Sequence, residues 1–246
     1  MDKPRMIMLP GWSMDRSVWG SFSEGLSSQF ELEHVDWTDV ESTGSFREKA
    51  RDRILKAEKR KVVLLGWSLG AIAALEIASE MPEHLDSMVL ISPTARFTQD
   101  RMSGYRSGWS AKVLDRMIKK LALEGKETVE SFRENLLSES DRIKMTQGIL
   151  EDQPPQADYK LRLGLEYLKE ADLRERICRI KVPTLMVHGE EDEIVPSEAS
   201  KYMAERNPDC FKLRTIEGCG HIPFLTETEL CLEHIREFMD WRKAEW

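Results

Sequence analysis

Val62-Val63-Leu64-Leu65-Gly66-Trp67-Ser68-Leu69-Gly70-Ala71-Ile72-Ala73-Ala74-Leu75-Glu76-Ile77-Ala78-Ser79 joins an apolar run to an Ala-rich stretch through a Gly-x-Ser-x-Gly pentapeptide. The run Val62–Leu65 predicts a strand buried on both faces. Leu69–Ser79 predicts a helix, stopped at Met81-Pro82, where proline cannot continue the backbone ladder. A strand that passes straight into a helix leaves room for only a tight, strained turn at Ser68. Glycines at 66 and 70 remove the Cβ atoms that would block the neighbouring backbone. Ser68 then sits at a helix N-terminus, where N–H groups and the helix dipole favour negative charge. In this strand, turn and helix setting the pentapeptide points to a serine nucleophile.

Similar apolar runs recur on both sides. Ile7–Leu9, Met88–Ile91 and Thr184–Val187 read as buried strands, and Phe211–Ile216 as a weaker, alternating one. Glu198–Arg206 and Glu229–Trp241 read as helices. Strands that alternate with helices predict an α/β protein whose mostly parallel central sheet carries helices on both faces. From Ala95 to Lys169 the rhythm changes. Ala111–Leu123, Thr128–Leu137, Asp141–Leu150 and Tyr159–Lys169 all read as helical, with Pro154-Pro155 before the last. The expected organisation is a core of residues 1–94 and 171–246 with a helical cap, or lid, of residues 95–170. Such a cap would cover the carboxyl ends of the strands, where sites in open α/β sheets lie.

A serine hydroxyl is a weak nucleophile and needs a base. For this type of turn the chain order is serine, then an acid, then histidine. Of the five histidines, His221 lies in Gly218-Cys219-Gly220-His221-Ile222-Pro223, a glycine-rich loop between a strand and the last helix. That loop can reach across the sheet, so His221 is the candidate base. His188, at the end of a strand, is expected to support the loop that follows it. The acid should come from that loop, His188-Gly189-Glu190-Glu191-Asp192-Glu193-Ile194-Val195. Asp192 is the candidate because it follows the turn glycine and precedes the apolar pair re-entering the core. Glu190 and Glu191 are the alternatives. The acid would hold the imidazole tautomer and stabilise the imidazolium.

Acyl transfer also needs donors aimed at the developing oxyanion. The N–H of Leu69, next to Ser68, is one candidate. The loop Leu9-Pro10-Gly11-Trp12-Ser13 offers the N–H of Trp12 as the other. The Trp12 and Trp67 side chains are expected to wall an acyl pocket, with plain core packing equally open for Trp67.

Composition narrows the rest. The chain has 246 residues, 36 basic against 44 acidic, and a formal net charge of -8. A chain this acidic is a poor general nucleic-acid binder, because phosphate neutralisation needs clustered Lys and Arg. No run approaches the roughly 18 apolar residues of a membrane span. Met6–Leu9 is too short for the apolar part of an export signal. The four cysteines lack Cys-x-x-Cys spacing. A cytoplasmic, monomeric protein with reduced thiols, no metal and no cofactor is expected. Cys219 reads as a small buried residue.

These residues carry a resemblance. The chain resembles the α/β-hydrolases and, among them, the pimeloyl-[acyl-carrier protein] methyl ester esterases. The likeness lies in Leu9–Met14 with Val18-Trp19, in Leu65–Gly70 with a tryptophan before the serine, and in Gly164–Arg174 through Val182-Pro183. It implies a small carboxylesterase that cleaves the methyl ester of a pimeloyl chain on acyl-carrier protein, in biotin synthesis. It implies Trp12 and Leu69 as oxyanion and substrate contacts and Phe132 as the cap aromatic of the acyl channel. Two departures stand out. Pro10 replaces the family's histidine before the oxyanion glycine. Glu127 and Ser131 replace cap arginines that meet the carrier protein, with Lys126 and Arg133 beside them.

Residues 95–122 hold seven cations (Arg96, Arg101, Arg106, Lys112, Arg116, Lys119, Lys120) against Asp100 and Asp115. This segment could steer an acidic carrier protein or form a solvated face. Met102, Met117 and Met145 could line the cap with adaptable apolar surface, with core filling equally open. Three other functions remain open at this point: a broad small-ester esterase or thioesterase, a C–C bond hydrolase, and a small-ligand receptor on a hydrolase frame.

Overall fold

Six strands form one sheet: β1 (Arg5–Leu9), β2 (Glu31–His34), β3 (Val62–Trp67), β4 (Leu85–Ile91), β5 (Thr184–Gly189) and β6 (Phe211–Ile216). The computed structural model describes residues 3–57, 61–144, 150 and 152–245. All neighbouring strands are parallel, in the order β2-β1-β3-β4-β5-β6. The five expected runs are all strands. β2 was not expected: Glu31-Leu32-Glu33-His34 is a half-exposed edge strand and carries no apolar run.

The order reverses at β1, because β2 lies on one side of it and β3 on the other. A crevice therefore opens beyond the carboxyl ends of β1 and β3. Leu9 pairs with Gly66 in register, so the loops leaving the two strands start side by side. That register brings Pro10–Ser13 next to Ser68.

All six residues of β3 are buried, which is why its sequence is a continuous apolar run and not an alternation. Helices α1 (Gly20–Ser27) and α2 (Ser45–Leu55) precede α3 (Leu69–Glu80). α2 buries only Phe46, Ala50 and Ile54, one residue per turn, which gave no visible apolar stripe. α2 packs on α3, and right-handed crossovers place both on one face.

Four helices follow β4: α4 (Ala111–Leu121), α5 (Gly125–Glu134), α6 (Glu139–Lys144) and α7 (Asp158–Glu170). They form a helical insertion between β4 and β5, with α4 packed on both α5 and α7. The expected helix over 141–150 is described only to Lys144; residues 145–149, with Met145, lie outside the described residues. Arg96 and Asp172 form an antiparallel bridge and an ion pair that join the two ends of the insertion. After β5 come α8 (Glu198–Arg206), α9 (Pro223–Thr226) and α10 (Thr228–Glu245). α9 and α10 pack with α1 on the face opposite α3. Among the described residues no helix is long and apolar enough to cross a membrane.

Candidate active site

Ser68 ends β3 and precedes α3 with φ 54° and ψ -112°, a conformation L-residues rarely adopt. A Cβ at Gly66 would lie 2.5 Å from Gly70 O, and one at Gly70 would lie 2.1 Å from Leu9 O. Both glycines are therefore required by close backbone approach, and the turn is held tight against the end of β1. The Ser68 N–H donates to Ile91 O at 3.0 Å, tying the turn to β4. The Leu69 N–H heads α3, and the first N–H groups of a helix have no partner within it.

His221 is fully buried in the loop between β6 and α9. Its Nδ1 donates to Asp192 Oδ2 at 2.6 Å. The acceptor on Nδ1 fixes the tautomer and leaves Nε2 with its lone pair. Among the described residues the buried Nε2 has no hydrogen-bond partner. Such an orphan atom calls for an explanation.

Asp192 is buried, while Glu190, Glu191 and Glu193 remain exposed. Glu190 instead accepts from Thr215 Oγ1 at 2.8 Å. Asp192 Oδ1 accepts the N–H groups of Ile194 and Val195 at 2.9 and 2.8 Å. Burial alone would raise the pKa of this carboxyl; the His221 charge and the hydrogen bonds from His188 and His221 outweigh it and hold it below the ordinary range.

His188 was expected only to support its loop, yet it reaches the same carboxylate. Its Nε2 lies 2.8 Å from Val195 O and 3.1 Å from Asp192 Oδ2. Two acceptors there place the proton on Nε2, so Nδ1 accepts from Ser200 Oγ at 2.5 Å. The i, i+4 spacing of His188 and Asp192 across a turn was the signal available in the sequence. The other histidines lie elsewhere: His34 contacts Ser23, His84 contacts Glu83 and His234 contacts Glu237.

The loop after β1 is clasped by the helical insertion. Trp12 Nε1 donates to Leu161 O at 2.8 Å, and Arg133 Nη2 donates to Ser13 O at 3.0 Å. Gln153 Oε1 accepts the Asp15 N–H at 3.0 Å. Phe132 meets Trp12 edge to face, with ring centroids 4.8 Å apart. Trp67, in contrast, packs beneath His221 among Trp19 and Phe224, only 1% exposed. Its Nε1 donates to His221 O at 2.9 Å. Beside Ser13 lies a cavity of about 440 Å³ lined also by Val129, Arg133 and Leu161. Among the described residues no group of His, Cys, Asp or Glu is placed to hold a metal ion.

Residues 40–229 match the hydrolase family described as serine aminopeptidase, S33. The chain belongs to this family. A pimeloyl-[acyl-carrier protein] methyl ester esterase of Nitrosomonas europaea is 30% identical, over 92% of each chain. One of Edwardsiella ictaluri is 29% identical, over 98% of this chain and 95% of its own. Among solved structures, an esterase from Exiguobacterium antarcticum superposes with a TM-score of 0.84 at 20% identity, covering 97% of this hydrolase and 92% of its own chain. The sheet and its surrounding helices are those of the α/β-hydrolase fold.

The insertion corrects one expectation about this hydrolase. Met102 is 98% exposed and lines nothing, because it sits on a turn that points into solvent. Met117 does line a groove between α4 and α5, floored by Trp109 and Phe132.

Proposed function

We propose that this hydrolase is a serine carboxylesterase acting through Ser68, His221 and Asp192. The observation that carries the reading is the His221 imidazole, bonded to Asp192 at Nδ1 and left unpartnered at the buried Nε2. His221 Nε2 takes the Ser68 proton as Oγ attacks the ester carbonyl. The N–H groups of Trp12 and Leu69 stabilise the oxyanion, a role worth about 3 kcal/mol per donor in comparable sites. His221 then protonates the departing alcohol. Water, deprotonated by His221, releases the acid from Ser68. Asp192 stays ionised throughout, in keeping with its lowered pKa.

The proposed substrate is the methyl ester of pimeloyl-acyl-carrier protein, on the strength of the names of relatives that align along nearly the whole chain. The acyl chain would run past Trp12 and Phe132, beneath a cap of residues 95–170. The carrier protein would meet α4, where Arg116 and Lys119 are exposed and make no ion pair among the described residues. Arg96 is spent on Asp172 and does not contribute. The enzyme would work in the cytoplasm, as a monomer. A second reading, a small free ester as substrate, is favoured by Glu127 and Ser131 at positions where the resemblance implies arginine.

Wild type and Ser68→Ala are compared on p-nitrophenyl esters of increasing chain length, on dimethyl pimelate and on methyl pimeloyl-carrier protein. Activity lost in the variant, with the carrier-bound ester preferred, is the expected result. Equal turnover of free and carrier-bound esters selects the second reading. Activity that survives Ser68→Ala sinks the mechanism.

A further inference from the structure

The loop that carries His221 is gripped from two sides. On the sheet side, Trp67 Nε1 and Ser92 Oγ donate to His221 O at 2.9 and 3.1 Å. The Glu191 N–H donates to Cys219 O at 2.9 Å. On the other side, three bonds come from the segment that opens α6. Leu136 O accepts the His221 N–H at 2.8 Å. Ser138 Oγ donates to Gly218 O at 2.7 Å. Asp141 Oδ2 accepts the Gly220 N–H at 2.6 Å.

Ser138 and Asp141 are a capping box. The Asp141 N–H donates to Ser138 Oγ and the Ser138 N–H donates to Asp141 Oδ2, both at 3.0 Å. Capping a six-residue helix needs only those two bonds and works as well at the surface. Here the carboxylate is fully buried, makes no ion pair among the described residues, and has the Cys219 thiol close by. Lys144, one turn on, pairs with Glu227 instead. Burying a carboxylate this way is expensive. What the burial gains is the third bond, to the residue before His221.

Packing tells the same story. A Cβ at Gly220 would lie 2.7 Å from Leu136 O and from the Ser138 backbone nitrogen. A Cβ at Gly189 would lie 2.1 Å from Gly220 O. Gly220 is therefore pressed between the helical insertion and the loop that bears Asp192. A glycine-rich loop has little stiffness of its own, and Gly218 adopts φ +70°. Outside contacts are therefore what hold this loop, and His221 with it, against Asp192.

We infer that Asp141 is a positioning residue for the base: the buried cap carboxylate fixes the Gly218–His221 loop, so the helical insertion sets the imidazole together with the sheet. The inference rests on His221 being the base. Its failure is separable from failure of that reading, which Ser68→Ala decides by itself.

The test compares Asp141→Ala and Asp141→Asn in steady-state ester hydrolysis and in the rate at which a small fluorophosphonate labels Ser68. A displacement of about 1 Å costs up to ~100-fold in rate. Asp141→Ala is expected to lower kcat and the labelling rate by about 10- to 100-fold, with KM within about threefold of wild type. Asp141→Asn keeps an oxygen acceptor for Gly220 and Ser138 and is expected to restore most of kcat. Ser138→Ala, which removes the bond to Gly218 O, is expected to lower kcat several-fold, and it carries the test should Asp141→Ala not fold. Unchanged kcat in a folded Asp141→Ala, or in Ser138→Ala when the former does not fold, overturns the inference. So does an Asp141→Asn variant as slow as Asp141→Ala.

Discussion

The loop after β5 and the loop after β6 meet in two hydrogen bonds, His221 Nδ1 to Asp192 and the Glu191 N–H to Cys219 O, but they are built on different supports. Asp192 is held by its own loop and by the frame: two backbone N–H groups, His188 at the end of β5, and Ser200 of α8 behind His188. Nothing from the helical insertion touches it through a hydrogen bond among the described residues. The His221 loop takes three of its bonds from that insertion, through Leu136, Ser138 and Asp141. The Asp192 carboxylate is thus part of the scaffold, whereas the His221 loop is shared between scaffold and helical insertion. Changes in the insertion should reach the imidazole and leave the carboxylate where it is.

The largest effect expected is at the shared bond. Asp192→Asn removes the charge that stabilises the imidazolium and permits the wrong tautomer, so kcat should fall by about 10³- to 10⁴-fold. The same variant should alter acid stability. The folded pKa of Asp192 is lowered, so its ionised form stabilises the native state above the unfolded value of about 4, and this is lost as the pH falls through the folded value. Urea midpoints taken from about pH 7 down to pH 3 should therefore decline less steeply in Asp192→Asn. A smaller effect is expected from His188→Gln. Asp192 keeps three other donors, so kcat should drop only about tenfold, the worth of one hydrogen bond to a charged group. A loss as large as that of Asp192→Asn would mean that one contact holds the acid, and the contrast with the base loop would disappear. The smallest change is chemical. Cys219 is buried in the base loop, and burial together with nearby Asp141 pushes its thiol up to about 12. Native protein treated with iodoacetamide should label exposed Cys178 and spare Cys219, as read by peptide mass mapping. Asp141→Ala should make Cys219 reactive. Equal labelling of Cys219 and Cys178 in the wild type would show that the base loop is not gripped at all.

Much of this arrangement is legible in the residues. Val62–Leu65 and Met88–Ile91 are central strands buried on both faces, so their apolar runs announce them. The pentapeptide at 66–70 predicts a strained turn, and Ser68 has the positive φ that such a turn requires. Asp192, chosen over Glu190 and Glu191, is the carboxylate that the structure brings to His221. β2 and α2 escaped because they bury one side chain per turn or less, and their patterns are those of surface segments. Asp141 escaped for a different reason. Ser138-x-x-Asp141 is a local helix start in sequence, and only the fold sets it against a loop about 80 residues further on, at Gly220. Trp67 could not be assigned either, because a buried tryptophan under a loop and one beside a pocket have the same neighbours in sequence.

Ser68 holds a backbone angle of φ 54° that glycine would occupy without steric cost. For a side chain that bears a Cβ, the same angle costs on the order of 1 kcal/mol. At this one position fitness for folding and fitness for chemistry point to different amino acids. With Ser68 as the proposed nucleophile, the residue is a stability–activity trade-off, its hydroxyl kept at the expense of a more relaxed turn.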